Sequence, residues 1–216
     1  SADEYYIGIT DAEGNIEEHQ GTWDIDYDNI YLYENDALMD TLSWDMAEDG
    51  SLWAVGDHSV NEDEWNPQLM HFPKEGSAQI FDKLSLESGE QPCQVRVSDN
   101  GKVFLADYGA NIYEVKEDQT VTKVLTADGR FSNLQIHNNL LAFYPDDGTG
   151  VKIYDLDQKE YVEDAVLDQF MQENYPGASS NGYSSFQVFY FWGNDDAFYV
   201  AGKSGLHRHV IGGGTM

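Results

Sequence analysis

An all-β fold of β-propeller type is predicted by three observations. A tight turn running into a short apolar strand, Asp49-Gly50-Ser51-Leu52-Trp53-Ala54-Val55-Gly56, returns at Asp99–Asp107, His137–Tyr144 and Asn194–Gly202. Units that recur every few tens of residues mark propellers and solenoids, and the unequal spacing favours a propeller with loops of variable length. The second strand of each unit is apolar on both faces, as a strand covered on both sides is. Propeller blades, sandwiched between neighbours, contain such strands. Finally, 14 Tyr, 10 Phe and 5 Trp can fill a sizeable core and suit pleated, half-buried surfaces. About four to five four-stranded blades are expected in a single domain over residues 1–216, as an incomplete or half propeller or a piece of a larger one. A β-sandwich is the competing fold and would alternate more cleanly.

Taken in order, residues 5–20 predict a hairpin: Tyr5 to Thr10, a turn over Asp11-Ala12-Glu13-Gly14-Asn15, and Ile16 to Gln20. Trp23, Ile25 and Tyr27 then alternate with Asp24, Asp26 and Asp28, the period of a strand, and charges on such a strand discourage edge pairing. Residues 34–40 read as a polar connection. The first unit takes strands at Ser43 to Ala47, Ser51 to Gly56, Gln68 to Phe72 and Ala78 to Phe81. The second takes Gln94 to Ser98, Lys102 to Asp107, Asn111 to Val115 and Thr120 to Leu125. The third takes Asn133 to His137, Leu140 to Tyr144, Val151 to Leu156 and Glu160 to Glu163. Val166, Leu167, Phe170 and Met171 have helical spacing, so one short helix is expected near 164–174, ended by Tyr175-Pro176-Gly177. The last unit has about three strands: Phe186 to Trp192, Ala197 to Ala201 and Leu206 to Ile211. The ring closes if the N-terminal hairpin pairs with the C-terminal strands. Left open, it exposes blade faces, and a homodimer through those open edges is then expected.

Charge excludes several function classes. Forty Asp and Glu against 11 Lys and Arg give a formal charge of −29, and the only arginines are Arg96, Arg130 and Arg208. Nucleic acid needs a basic footprint, so no nucleic-acid partner is expected, and anionic lipid heads are disfavoured on the same grounds. No apolar run reaches the ~18–20 residues of a membrane-spanning helix, so this segment is not expected to insert. Cys93 is the only cysteine; it reads as a small buried residue beside a strand rather than a nucleophile.

Asp49 to Gly56 together with Gly202-Lys203-Ser204-Gly205-Leu206-His207-Arg208-His209 resembles the propeller repeat of bacterial extracytoplasmic sensor domains. That repeat runs Asp-Gly, then a strand with Leu-Trp, then Gly-Leu-x-Arg-aromatic. The end of the chain, Gly205 to Met216, is similar to the N-terminal propeller region of Gram-positive surface lipoproteins that carry a solute-binding domain. The resemblance implies an extracytoplasmic, cell-surface setting, lipid-anchored in the full-length protein, with binding of carbohydrate or another nutrient.

Aromatic residues near turns are the leading candidates for ligand contact: Trp65, Tyr108, Tyr183 and Trp192, joined by His207. Sugar faces stack on rings while acids and amides bond hydroxyls, so a small-molecule or glycan ligand is expected. Trp44, Trp53 and Trp192 also read as blade packing. Asp24, Asp26 and Asp28 have the spacing of an EF-hand start, making calcium the one cofactor suggested, although strand alternation explains the same spacing. His207 and His209 lie two apart on one strand face, a spacing that can chelate metal. The expected role is a non-enzymatic binding or interaction module. A polysaccharide hydrolase or lyase using acidic residues is the alternative, with a structural spacer as the third reading.

Overall fold

The computed structural model describes residues 3–10, 16–26, 29–34, 37–57, 66–75, 77–82, 84–87, 89–175, 188–193 and 195–212, with backbone alone through residue 41 and at residue 57. The first sheet has seven antiparallel strands in sequence order: β1 (Asp3–Thr10), β2 (Ile16–Asp26), β3 (Asn29–Glu34), β4 (Ala37–Met46), β5 (Leu52–Asp57), β6 (Pro67–Phe72) and β7 (Gln79–Phe81). The second is β8 (Pro92–Val97), β9 (Val103–Asp107), β10 (Asn111–Val115) and β11 (Val121–Thr126). The third is β12 (Phe131–His137), β13 (Leu140–Pro145), β14 (Lys152–Asp155) and β15 (Glu160–Tyr161). Helix α1 (Ala165–Asn174) leads to β16 (Tyr190–Trp192), β17 (Phe198–Gly202) and β18 (Gly205–His209). The first strands of the four blades, β4, β8, β12 and β16, touch one another in series. This is the inner row of a propeller-like fold.

Each junction between blades is an apolar layer. Val55, Leu69 and Phe81 meet Val95, Val103 and Leu105 between the first and second blades. Phe104 and Ile112 meet Leu134, Leu141 and Phe143 between the second and third. Ala142, Tyr144 and Ile153 meet Val188, Tyr190, Phe198 and Val200 between the third and fourth, with Leu167 and Met171 of α1 closing the outer side. β9 is therefore buried at every position and β13 at its four central ones, as the sequence predicts for second strands. β17 differs: Phe198 and Val200 are buried while Tyr199 between them is not, because no described blade covers its far side.

A polar ladder joins the inner strands. Ser43, Gln94 and Asn133 each lie at a register irregularity of their strand. Such a bulge turns one side chain out of the alternation. Ser43 Oγ accepts from Val95 N at 3.1 Å. Gln94 Oε1 accepts from Leu134 N at 2.9 Å, and its amide donates to Phe131 O at 3.3 Å. Asn133 Nδ2 donates to Val188 O at 3.3 Å, and Tyr190 OH donates back to Asn133 O at 2.6 Å. One polar side chain per inner strand thus reaches forward to the backbone of the next.

The N-terminal strands extend β4 on its inner edge, Tyr31 opposite Asp40 and Glu34 opposite Ala37, and among the described residues they do not pair with the C-terminal strands. The stretch read as a connection over 34–40 is thus strand from Ala37 onward. Two apolar faces have no neighbouring blade among the described residues. One carries Leu42, Trp44 and Met46, with Trp44 57% exposed; the other carries Phe189, Phe191, Tyr199 and Leu206, with Phe189 61% exposed.

Candidate functional site

A cleft of about 470 Å³ opens where the inner strands begin, walled by Leu42 and Ser43 of β4, Cys93, Gln94 and Arg96 of β8, and Arg130 to Asn133 entering β12. Asp107 and Tyr108, which follow β9, and Asp146, which follows β13, complete it. Antiparallel pairing places these groups at one end: Pro92 is opposite Asp107, and Phe131 is opposite Pro145.

The turn carrying Tyr108 is held on both sides. Asp107 accepts from the backbone N of Asn111 at 2.9 Å, from the Asn111 amide at 3.1 and 3.2 Å, and from Tyr113 OH at 3.0 Å. Tyr108 N donates to Gln91 O at 3.1 Å. Ala110 takes a φ of 64° to close the turn, a left-handed backbone that costs a non-glycine residue energy unless its surroundings fix it. The Arg130 guanidinium lies over the Tyr108 ring at 5.9 Å, within cation–π range, while Arg130 O accepts from Asp146 N at 2.8 Å.

Arg96 is half-buried. Its Nη1 donates to Val95 O at 2.6 Å, Ser43 Oγ at 3.0 Å and Trp44 O at 3.4 Å. Burial lowers its pKa, opposed by Asp45 and Tyr190, which favour the charged form. Burial, aided by Asp107, pushes the Cys93 thiol up to about 12, which keeps it neutral and a poor nucleophile. The residue is half-buried rather than fully buried as the sequence predicts, and its neutral thiol fits the reading that it is not a nucleophile.

The predicted site residues do not converge. Tyr108 lies in the cleft. Trp192 sits at the opposite end of the inner row, stacked on His137 at 5.5 Å and edge-on to Phe198 at 4.9 Å, so it packs blades. His207 is on the outer side, against Phe170 at 4.7 Å and 3.0 Å from Ser204 Oγ, and its neighbour His209 bonds Asp164. Trp53 stacks on His71 at 4.1 Å and serves packing. Trp65, Tyr183 and Asp28 lie outside the described residues; Asp24 and Asp26 are on β2, with their side chains outside them too. Among the described residues no three His, Cys, Asp or Glu are grouped to hold a metal. Arg96 and Arg130 are the cleft residues that sequence reasoning missed. Their signal was scarcity, two of three arginines in a chain of 40 acids.

At the other end, the turns that define the repeat meet. His137, which ends β12, places Nδ1 2.9 Å from Asp99 of the second blade and Nε2 2.7 Å from Asp196 of the fourth. Asn138 adds bonds to the same two carboxylates at 2.9 and 3.1 Å. Hydrogen bonds from His137 and Asn138 hold the Asp196 carboxyl below its usual range.

No protein-family model matches the chain, and no curated protein matches it in sequence. Among solved structures it is similar to virginiamycin B lyase from Staphylococcus aureus, at 14% identity over 99% of this chain and 75% of that one, with a TM-score of 0.55. It is similar to YCF48 bound to a D1 peptide, at 11% identity over 92% of this chain and 70% of that one, also at 0.55. The extracellular domain of the hybrid two-component system BT4673 from Bacteroides thetaiotaomicron matches at 13% identity and 0.50, over 88% of this chain and 22% of that one. At these identities the likeness is one of fold.

Proposed function

We propose that this chain is a propeller-type binding module that works outside the membrane, at the cell surface, and takes a small polar ligand of the carbohydrate or nutrient class in the cleft around Tyr108. The observation that carries this reading is the cleft itself. Its volume falls within the usual range for small-molecule sites, it lies at the mouth of the inner row, and Tyr108 and Arg130 are stacked at its wall. An extracellular domain among the fold neighbours supports the setting. Among the described residues no helix is long and apolar enough to cross a membrane.

Binding is favoured over acid–base catalysis by Asp107. Its oxygens are engaged by Asn111 and Tyr113, whereas a general acid or base must reach the substrate proton directly. A thermal-shift screen against mono- and oligosaccharides, amino acids and calcium tests the reading. A ligand at a hundredfold excess over its Kd adds about 2.7 kcal/mol, which raises Tm by roughly 5–10 °C for a chain of this length. Tyr108→Ala should abolish the shift. A screen with no stabilising compound would leave the spacer reading in its place.

A further inference from the structure

The wall of the cleft divides into groups already committed to the fold and groups that are not. Ser43, Gln94 and Asn133 are spent on the ladder between blades, and Asp107 is spent on the turn. The cationic groups differ. Arg96 uses only Nη1, and only on neutral oxygens. Arg130 makes a ring contact with Tyr108. Among the described residues neither guanidinium forms an ion pair, whereas Arg208 pairs with Asp195 at 2.8 Å and Lys123 with Glu87 at 2.6 Å.

In a chain with 40 acidic residues, two arginines on one concave wall with no ion pair among the described residues, Asp45 acting on Arg96 only from a distance, are a departure from the pattern elsewhere. Guanidinium N–H groups bind carboxylates in parallel pairs. The surface charge of the remaining chain is screened over about 8 Å at physiological salt, so the groups on the wall dominate. Those include the Asp146 carboxylate at the rim and the Asp107 carboxylate held in the turn, which disfavour a dianion more than a monoanion.

We infer that the cleft takes an acidic sugar, a uronate whose single carboxylate is held between Arg96 and Arg130. This rests on the binding reading above and names the ligand class for that same site. Ser132, exposed on the same wall, is placed to bond a sugar hydroxyl.

The test is calorimetric titration of the whole chain with galacturonate and glucuronate. The comparison compounds are the matching neutral hexoses, galactose 6-phosphate as a dianion, and N-acetylglycine as a carboxylate without a sugar. A uronate should bind at least tenfold tighter than its neutral parent, and its affinity should fall as salt is raised. Arg130→Gln should weaken the uronate at least tenfold and remove most of its advantage over the neutral hexose. Among the described residues Arg130 makes no hydrogen bond through its guanidinium, so this variant keeps the fold even if Arg96→Gln, which removes three bonds, does not. Equal affinity for uronate and neutral hexose, or tighter binding of the phosphate or of N-acetylglycine, would overturn the uronate assignment and keep the binding module. Failure of every compound to bind would overturn both.

Discussion

His209 on β18 and Asp164 at the start of α1 form a nearly buried pair, Nε2 to Oδ2 at 2.8 Å, with side chains 7% and 9% exposed. Asp164 is also the N-cap of α1, its Oδ1 accepting from Leu167 N at 3.0 Å, and its Oδ2 takes a further bond from Gly212 N at 3.1 Å. One carboxylate thus ties the helix to the last blade. Losing a cap costs about 1 kcal/mol and leaving a buried hydrogen-bonding group without its partner about 1–3. Asp164→Ala should therefore lower unfolding stability by about 2–4 kcal/mol, read from urea midpoints. Asp164→Asn, which keeps the cap, should lose less.

The same carboxylate sets an acid limit. Burial raises its pKa, but the bonds from His209, Leu167 and Gly212 outweigh that and hold it below its ordinary value of 3.8. A depressed carboxyl contributes stability that is fully present above its unfolded value and is lost as pH falls through the lower folded one. Urea midpoints of the wild type should accordingly fall more steeply below pH 4 than those of Asp164→Ala. Parallel curves for the two proteins would contradict this.

The ladder between inner strands makes a site-specific prediction. Gln94→Ala leaves the amide of Leu134, a fully buried residue, without its acceptor, and an orphaned buried donor costs about 1–3 kcal/mol. Hydrogen exchange at the Leu134 amide should accelerate in the variant, while that of Ile112, paired within its own sheet, should change far less.

The two uncovered apolar faces predict head-to-tail self-association. At each internal junction the far face of one blade covers the near face of the next, and among the described residues one face of each kind has no such cover. On the second of these faces the cation Arg208, opposite Tyr199, is already paired with Asp195 at 2.8 Å. The occupant expected on them is a second copy, because two copies give eight blades, within the range propellers adopt. Multi-angle light scattering should show a dimer. Trp44→Glu and Phe189→Glu should each be monomeric alone, yet pair one-to-one when mixed, since one intact junction remains. A wild-type monomer at all concentrations would exclude the arrangement, as would monomers in the mixture.

Much of the fold was legible because turn chemistry and two-sided burial are local. Asp49-Gly50 and Asn100-Gly101 mark their turns by glycines at φ 84° and 78°, and Phe104 to Ala106 announce a covered strand by composition alone. What was not legible depends on bulges. Ser43, Gln94 and Asn133 look like ordinary polar positions of alternating strands, and the irregularity that aims them at the next blade leaves no trace in hydropathy. The cleft was half-visible. Tyr108 could be picked as an aromatic beside a turn, but Arg96 is separated from Arg130 by the length of a blade, and only the approach of β8 to β12 brings both to one cleft. Trp192 and His207 had the right chemistry in places the ring does not bring together.

Because each rung of the ladder ends on main-chain atoms, the receiving blade needs no matching side chain. A blade could be copied, deleted or exchanged, and its neighbour would still present the same N–H and C=O groups to whichever serine, glutamine or asparagine came before it. The fold therefore carries a joint that is indifferent to the identity of what it joins, so blade number can change in such a chain without compensating substitutions along the axis.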